Sequence, residues 1–315
     1  FIMEPAESSN LFMMVKSSDG GKSWSEVDAQ NRPATDDLEA VDGRLVDGSI
    51  EIIHQVTETA FRHVFRTSDH PTHPDTWGLT DEPISSKESM SQGAALVVRD
   101  DGSQVAFYVG QTLRYSIRPP GESWGPSQLV DPGPAPFLAG PQAVLGADSK
   151  VHLAYYGGDG TIWHRQLHAD NTLGPATLLA DGVGTEEDAY GSVLPLVYLP
   201  DNDTLVVAYQ LADLRIWERR IDASGAASQA TRITDRPVVR EAADSQQPGA
   251  DLLRVGDRVC LLFIEDETGQ IYSVVEGAGW EAPQLLVPDV DANWIRGHAT
   301  QSPDGSYVVR YVYDA

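Results

Sequence analysis

The chain has 315 residues, with 47 Asp and Glu against 22 Lys and Arg, a formal net charge of −25. Only four of the bases are Lys; the other 18 are Arg. So acidic a balance argues against nucleic acid and anionic membranes as partners, because both need a basic footprint, and it suits a secreted protein or one that works in salt.

The first apolar run, "LFMMV", leads into Ser17-Ser18-Asp19-Gly20-Gly21-Lys22-Ser23-Trp24. Gly20 and Gly21 admit positive φ, and Asp19, Ser17 and Ser18 can accept hydrogen bonds from turn amides. A tight hairpin is therefore expected, with Trp24 opening the next strand. Beyond it helical periodicity is nearly absent. Short apolar or alternating runs are punctuated by Gly, Asp, Asn and Pro.

One event recurs: an apolar strand, an acid or glycine turn, then a second apolar strand. It falls at Asp47-Gly48, Asp101-Gly102, Asp148-Ser149, Asp201-Asn202, Gly256-Asp257 and Asp304-Gly305, with spacings of 54, 47, 53, 55 and 48 residues. A period near 50 with about four strands per unit predicts a β-propeller. The last segment supplies two strands and the first supplies two more. The expectation is one all-β domain over 1–315, a six-bladed β-propeller whose closing blade is built from both termini, which removes open sheet edges. A monomer is expected.

Three smaller features fill in the frame. No segment approaches the length of a membrane-spanning helix. The single cysteine, Cys260, lies in "RVCLLFI" and reads as a buried core thiol. Asn202-Asp203-Thr204 is a glycosylation sequon beside an expected turn, in keeping with an extracellular location.

"SSDGGKSW" matches the Asp-box pattern Ser/Thr-x-Asp-x-Gly-x-Ser/Thr-Trp at every defining position, and "TSDHPTHPDTW" and "SIRPPGESW" are degraded relatives at the same place in other units. The chain thus resembles the bacterial-neuraminidase-repeat superfamily of sialidase-like propellers, which includes glycosidases, polysaccharide lyases and lectins. In such propellers the box builds the turn between the two outer strands, away from the usual site, and ligands bind over the central channel.

The loops and strand ends sent to that channel face hold His54, His63, His298, Arg62, Arg240 and Arg296, several tyrosines, and acids including Glu88 and Glu265. Gln92, Gln142, Tyr190, Gln247 and Trp294 lie in the same loops or at strand starts. Aromatic faces stack on sugars, and forked guanidinium groups hold carboxylates. The resemblance to sialidases implies an arginine triad, with Arg296 at the place of the first member but followed by Gly297-His298 where the family has Ile-Pro. Arg62 and Arg240 would complete it, with Tyr311 and Glu265 as a nucleophile pair.

A lyase reading uses His54 and His63, expected to meet across a hairpin, with Tyr108, Tyr155 or His298 as second proton carrier and an arginine on a uronate carboxylate. Both enzyme readings predict an acidic oligo- or polysaccharide as partner, with no cofactor and no catalytic metal. The alternative is a non-catalytic lectin. "DGTIWHRQ", "LRIWERR" and "GQIYSVVE" resemble third strands of sugar-binding propellers, whose pockets lie between adjacent blades. The channel residues differ from unit to unit, and that difference favours one central enzymatic site over repeated pockets. His70, His73, His152, His164 and His168 read as structural.

Overall fold

The computed structural model describes residues 2–3, 13–16, 25–26, 41–46, 49–57, 60–66, 82–84, 94–109, 112–133, 140–183, 194–240 and 249–313; before residue 94 its side chains are described at Asp42, Ile53 and Ile84. The chain divides into two compact units, 1–141 and 142–315.

In the first unit β1 (Ile2–Met3), β2 (Met13–Lys16) and β3 (Ser25–Glu26) form a three-stranded sheet. Next comes a four-stranded sheet of β4 (Val41–Val46), β5 (Ser49–Thr57), β6 (Ala60–Arg66) and β7 (Glu82–Pro83). A second contains β8 (Ala94–Val98), β9 (Gln104–Val109), β10 (Leu113–Arg118) and β11 (Gln128–Leu129).

The second unit repeats the plan. Its sheets are β12 (Gln142–Leu145), β13 (Val151–Tyr156), β14 (Ile162–Leu167) and β15 (Thr177–Ala180); then β16 (Leu196–Leu199), β17 (Thr204–Gln210), β18 (Ile216–Ile221) and β19 (Thr231–Arg232); then β20 (Ala250–Val255), β21 (Arg258–Ile264), β22 (Ile271–Val275) and β23 (Gln284–Val287). A two-stranded sheet of β24 (Ile295–Gln301) and β25 (Tyr307–Tyr313) ends it. Every pairing is antiparallel, in meander order.

The six turn positions read from the repeat all join the first and second strands of a sheet: β4–β5, β8–β9, β12–β13, β16–β17, β20–β21 and β24–β25. Within each unit, first strands of successive sheets lie side by side: β4 on β8, and β12, β16, β20 and β24 in turn. This is the blade arrangement of a propeller. Second strands are buried end to end; β9, β13 and nearly all of β17 and β21 are examples. Outer strands β11 and β19 are exposed.

Between two sheets of the second unit, Val206, Ala208 and Ile216 share a core with Leu261, Phe263, Tyr272 and Val274. On the far side of β20–β23, Leu253, Cys260, Leu262 and Ile264 meet Ile295. Cys260 is buried there, and burial pushes its thiol up to about 11, so it is an inert core group.

A carboxylate clips neighbouring first strands together in both units. Asp42 Oδ2 accepts from the Leu96 amide at 2.8 Å, and Asp251 Oδ2 from the Gly297 amide at 2.9 Å. Gly297 is required at this approach: a Cβ there would stand 2.6 Å from Leu262 Cδ1 and 2.8 Å from Leu253 Cδ1. Outer turns are fastened by aspartates. Asp222 Oδ1 accepts from the Ser224 hydroxyl at 2.6 Å and from the Ser224 and Ala226 amides at 2.9 and 3.0 Å, and the hydroxyl bond first, with the amides, lowers its pKa. Asp170 with Thr172 and Asp304 with Ser306 repeat the device. All of "SSDGGKSW" and of "TSDHPTHPDTW" lies outside the described residues. "SIRPPGESW" does form the turn between the third strand β10 and the fourth strand β11, and Trp124 packs on the core of Ile53, Leu96 and Tyr108.

The expected His54–His63 hairpin is corrected by register. Both residues lie inside their strands, not at the turn: His54 is opposite Arg62, and His63 is opposite Ile53. The two are therefore not partners across the hairpin.

Candidate functional site

The remaining expected site residues scatter. Glu88, Gln92, Tyr190 and Gln247 lie outside the described residues. Tyr108 and Tyr155 are 1% and 3% exposed, and the Tyr108 hydroxyl donates to Ser127 Oγ at 2.7 Å. Gln142 is exposed at the start of β12, Trp294 is half-buried before β24, and His298 is exposed on β24 opposite Arg310. Arg296 interacts with Asp251, whose carboxyl is raised by burial against the pull of that guanidinium. Tyr311 packs with Leu262 and Ile264 on one side of the β20–β23 sheet, and burial raises its phenol. Glu265 belongs to the other side, so the two do not form a nucleophile pair.

What the structure does gather is a polar cluster at the seam between β16–β19 and β20–β23. Glu265 follows β21 and is 5% exposed. Its Oε1 accepts from Arg236 Nη1, and its Oε2 from the Thr268 hydroxyl at 2.7 Å. Burial alone would raise this carboxyl; the Thr268 and Arg236 hydrogen bonds outweigh it and the pKa is lowered. Arg236 is held charged in turn, first by that bond to Glu265. Its guanidinium lies over the Tyr272 ring, 4.5 Å from the centroid, and the Tyr272 hydroxyl donates to Gln270 Oε1 at 3.1 Å.

The segment carrying Arg236 connects β19 to β20 and is stapled from below. Buried Gln210 at the end of β17 donates to the carbonyls of Val238 at 2.7 Å and Leu214 at 3.2 Å. Arg240 Nη2 donates to the Leu211 carbonyl at 2.9 Å, and its Nε to Gln210 Oε1 at 3.4 Å. Arg240 is thus part of the scaffold beside the cluster.

The cluster offers a buried carboxylate, an amide and a cation seated on the buried Tyr272 ring, which also stacks on Phe263. The Arg236 side chain is 42% exposed, and among the described residues its Nε and Nη2 take no partner. That edge presents donors in a plane to a ligand oxygen. Of this set the sequence pointed to Glu265 and, through "GQIYSVVE", to Tyr272. Gln270 lies in the same stretch; Arg236 and Thr268 carried no motif, and the only cue was a cation and a hydroxyl in the turns flanking a third-strand aromatic.

That third-strand aromatic recurs at one register. Tyr155 opposes Trp163, Tyr209 opposes Trp217, and Phe263 opposes Tyr272 in three successive sheets. A second guanidinium, Arg232, lies 5.8 Å from the Trp217 ring centroid. The aromatic position therefore repeats from sheet to sheet while the polar residues around it change.

No protein-family profile and no curated protein sequence matches the chain. Solved structures do match. The BP39L lectin of Burkholderia pseudomallei superposes with a TM-score of 0.67 at 11% identity, over 89% of this chain and 83% of that one. The fucose-specific lectin of Aleuria aurantia gives 0.53 at 14% identity, over 88% and 94%. AofleA of Arthrobotrys oligospora gives 0.50 at 13%, over 88% and 79%. At such identities the likeness establishes the fold: the chain is an all-β, six-bladed β-propeller of the class used by propeller lectins. It also corrects the sequence reading. The matching propellers of Burkholderia pseudomallei and Aleuria aurantia are lectins, which overturns the sialidase, glycosidase and polysaccharide-lyase assignments drawn from the resemblance and from the channel arginines and histidines. The box is a turn device that the fold uses whatever the chemistry.

Proposed function

We propose that this chain is a sugar-binding propeller lectin, with a binding cleft at the seam where Arg236 crosses Tyr272 and Glu265. The observation that carries the reading is the half-open guanidinium: one edge is fixed by a buried carboxylate, one face lies on an aromatic ring, and the other edge is turned to solvent. A fixed, half-exposed donor edge suits a pyranose, whose ring and hydroxyl oxygens accept hydrogen bonds. The sugar is neutral. Glu265 already cancels the charge of Arg236, and a chain of net charge −25 repels an acidic glycan within a screening length of about 8 Å at physiological salt. Fucosides are the first ligands to try, since the Aleuria aurantia lectin is fucose-specific and the SapL1 lectin, TM-score 0.50, was solved with α-methyl fucoside.

The test is a glycan array followed by calorimetry with α-methyl fucoside and with a sialoside, on the wild type and Arg236→Ala. Binding of a neutral sugar that weakens at least tenfold in Arg236→Ala is expected. Silence across the array, or neutral-sugar binding untouched by the substitution, overturns the lectin reading or its site respectively.

A further inference from the structure

The seam between β12–β15 and β16–β19 buries two histidines that the sugar site does not use. His152 on β13 and His164 on β14 are 4% and 2% exposed, and His152 Nδ1 lies 3.1 Å from His164 Nε2. One ring must donate and the other accept, and burial favours the neutral form of both. The rings stack at 5.3 Å, and His152 also stacks on Tyr198 of β16 at 5.8 Å. Gly146 closes the site behind them: a Cβ at that position would stand 2.6 Å from the His152 ring. The pair therefore joins two sheets and has no room to turn.

The charged and titratable groups around it come from every packed element. Asp148 and Lys150 stand in the β12–β13 turn. Tyr198 on β16 donates to Asp203 of the β16–β17 turn at 2.7 Å. Tyr209 and Arg219 lie on the face of β17–β18 that Tyr198 shares. Asp203 favours a charged His152 and Lys150 opposes it, but burial comes first and holds His152 at about 4. Burial, then His152 itself, holds His164 at about 3.

We propose that this seam is acid-sensitive and opens when the paired imidazoles of His152 and His164 take up protons. A first proton places a charge between two closely packed sheets. A second sets N–H against N–H and breaks the hydrogen bond between the rings. Because both rings are neutral in the folded chain and titrate near 6.5 when unfolded, their contribution to stability is complete above that pH. It is lost progressively as pH falls from 6.5 towards 4.

The test is urea unfolding of the whole chain between pH 7.5 and pH 5, for the wild type, His164→Gln and His152→Phe. The wild-type midpoint is expected to drop with pH, and each variant to lose at least half of that drop. Variants that retain the wild-type slope overturn the proposal. Should neither variant fold, the wild type decides by imidazole NMR and amide exchange. Rings that stay neutral to below pH 5, with seam amides whose protection relative to the intrinsic exchange rate falls as pH falls, support it; rings that titrate near 6.5 overturn it.

Discussion

At the seam between β12–β15 and β16–β19 the polar contact is a pair of neutral imidazoles sealed among aromatic rings. At the next seam it is an ionised Arg236–Glu265 pair with the guanidinium half open to water. The strands on either side are built alike, with largely buried second strands and an aromatic at the same third-strand register. What differs is where along the seam the polar groups fall. His152 and His164 sit in mid-strand, where both sheets exclude water. Glu265 and Arg236 sit beyond the strand ends, where turns can supply Thr268 and Gln270 as partners. The same frame thus makes a joint in one place and a ligand edge in the other. The deciding quantity is the desolvation of the polar group, which penalises charge inside the strands far more than at the turns.

The largest way to break the comparison is through what the seams share. Phe263→Ala empties the core between β16–β19 and β20–β23 and is expected to cost about 3–5 kcal/mol in urea unfolding; Leu153→Ala, equally buried on β13, is expected to cost about 2–5 kcal/mol. If either substitution is near neutral, the seams do not rest on the second strands.

A smaller effect separates the two seams by pH. The histidine seam loses stability below pH 6.5. Glu265, whose folded pKa is lowered, contributes fully above the ordinary carboxylate range and loses that contribution only as pH falls through its depressed folded value, below 4.5. Two separate steps in the pH dependence of the urea midpoint are expected, and Arg236→Ala alters only the lower one. The smallest effect is Tyr198→Phe. It removes one hydrogen bond to Asp203 while keeping the ring on His152, and costs about 1 kcal/mol. A loss several times larger would mean that Asp203, not the stacked ring, organises the histidine seam.

Much of the blade pattern was legible before any coordinates. The six acid or glycine turns mark first-to-second-strand hairpins because such turns need residues that bond their own backbone or accept positive φ, and few residue types do so. The site was far less legible. Arg236 and Glu265 are 29 residues apart, and neither belongs to a motif. The Asp-box resemblance led to a sialidase-like reading, whereas the Burkholderia pseudomallei and Aleuria aurantia structures that match are lectins. Likewise, His54 and His63 suggested a pair by proximity in sequence, but the register pairs His54 with Arg62 and His63 with Ile53.

By itself, then, the sequence determined the fold class, the strand–turn rhythm and the burial of runs such as "RVCLLFI", because strand alternation and turn chemistry are local properties of a few adjacent residues. Only the tertiary structure decided which carboxylate meets which cation, which histidines lose their access to protons, and which guanidinium keeps an edge in water. Those outcomes depend on the desolvation and distance created when two sheets meet, and neither quantity exists until residues remote in the chain have packed together.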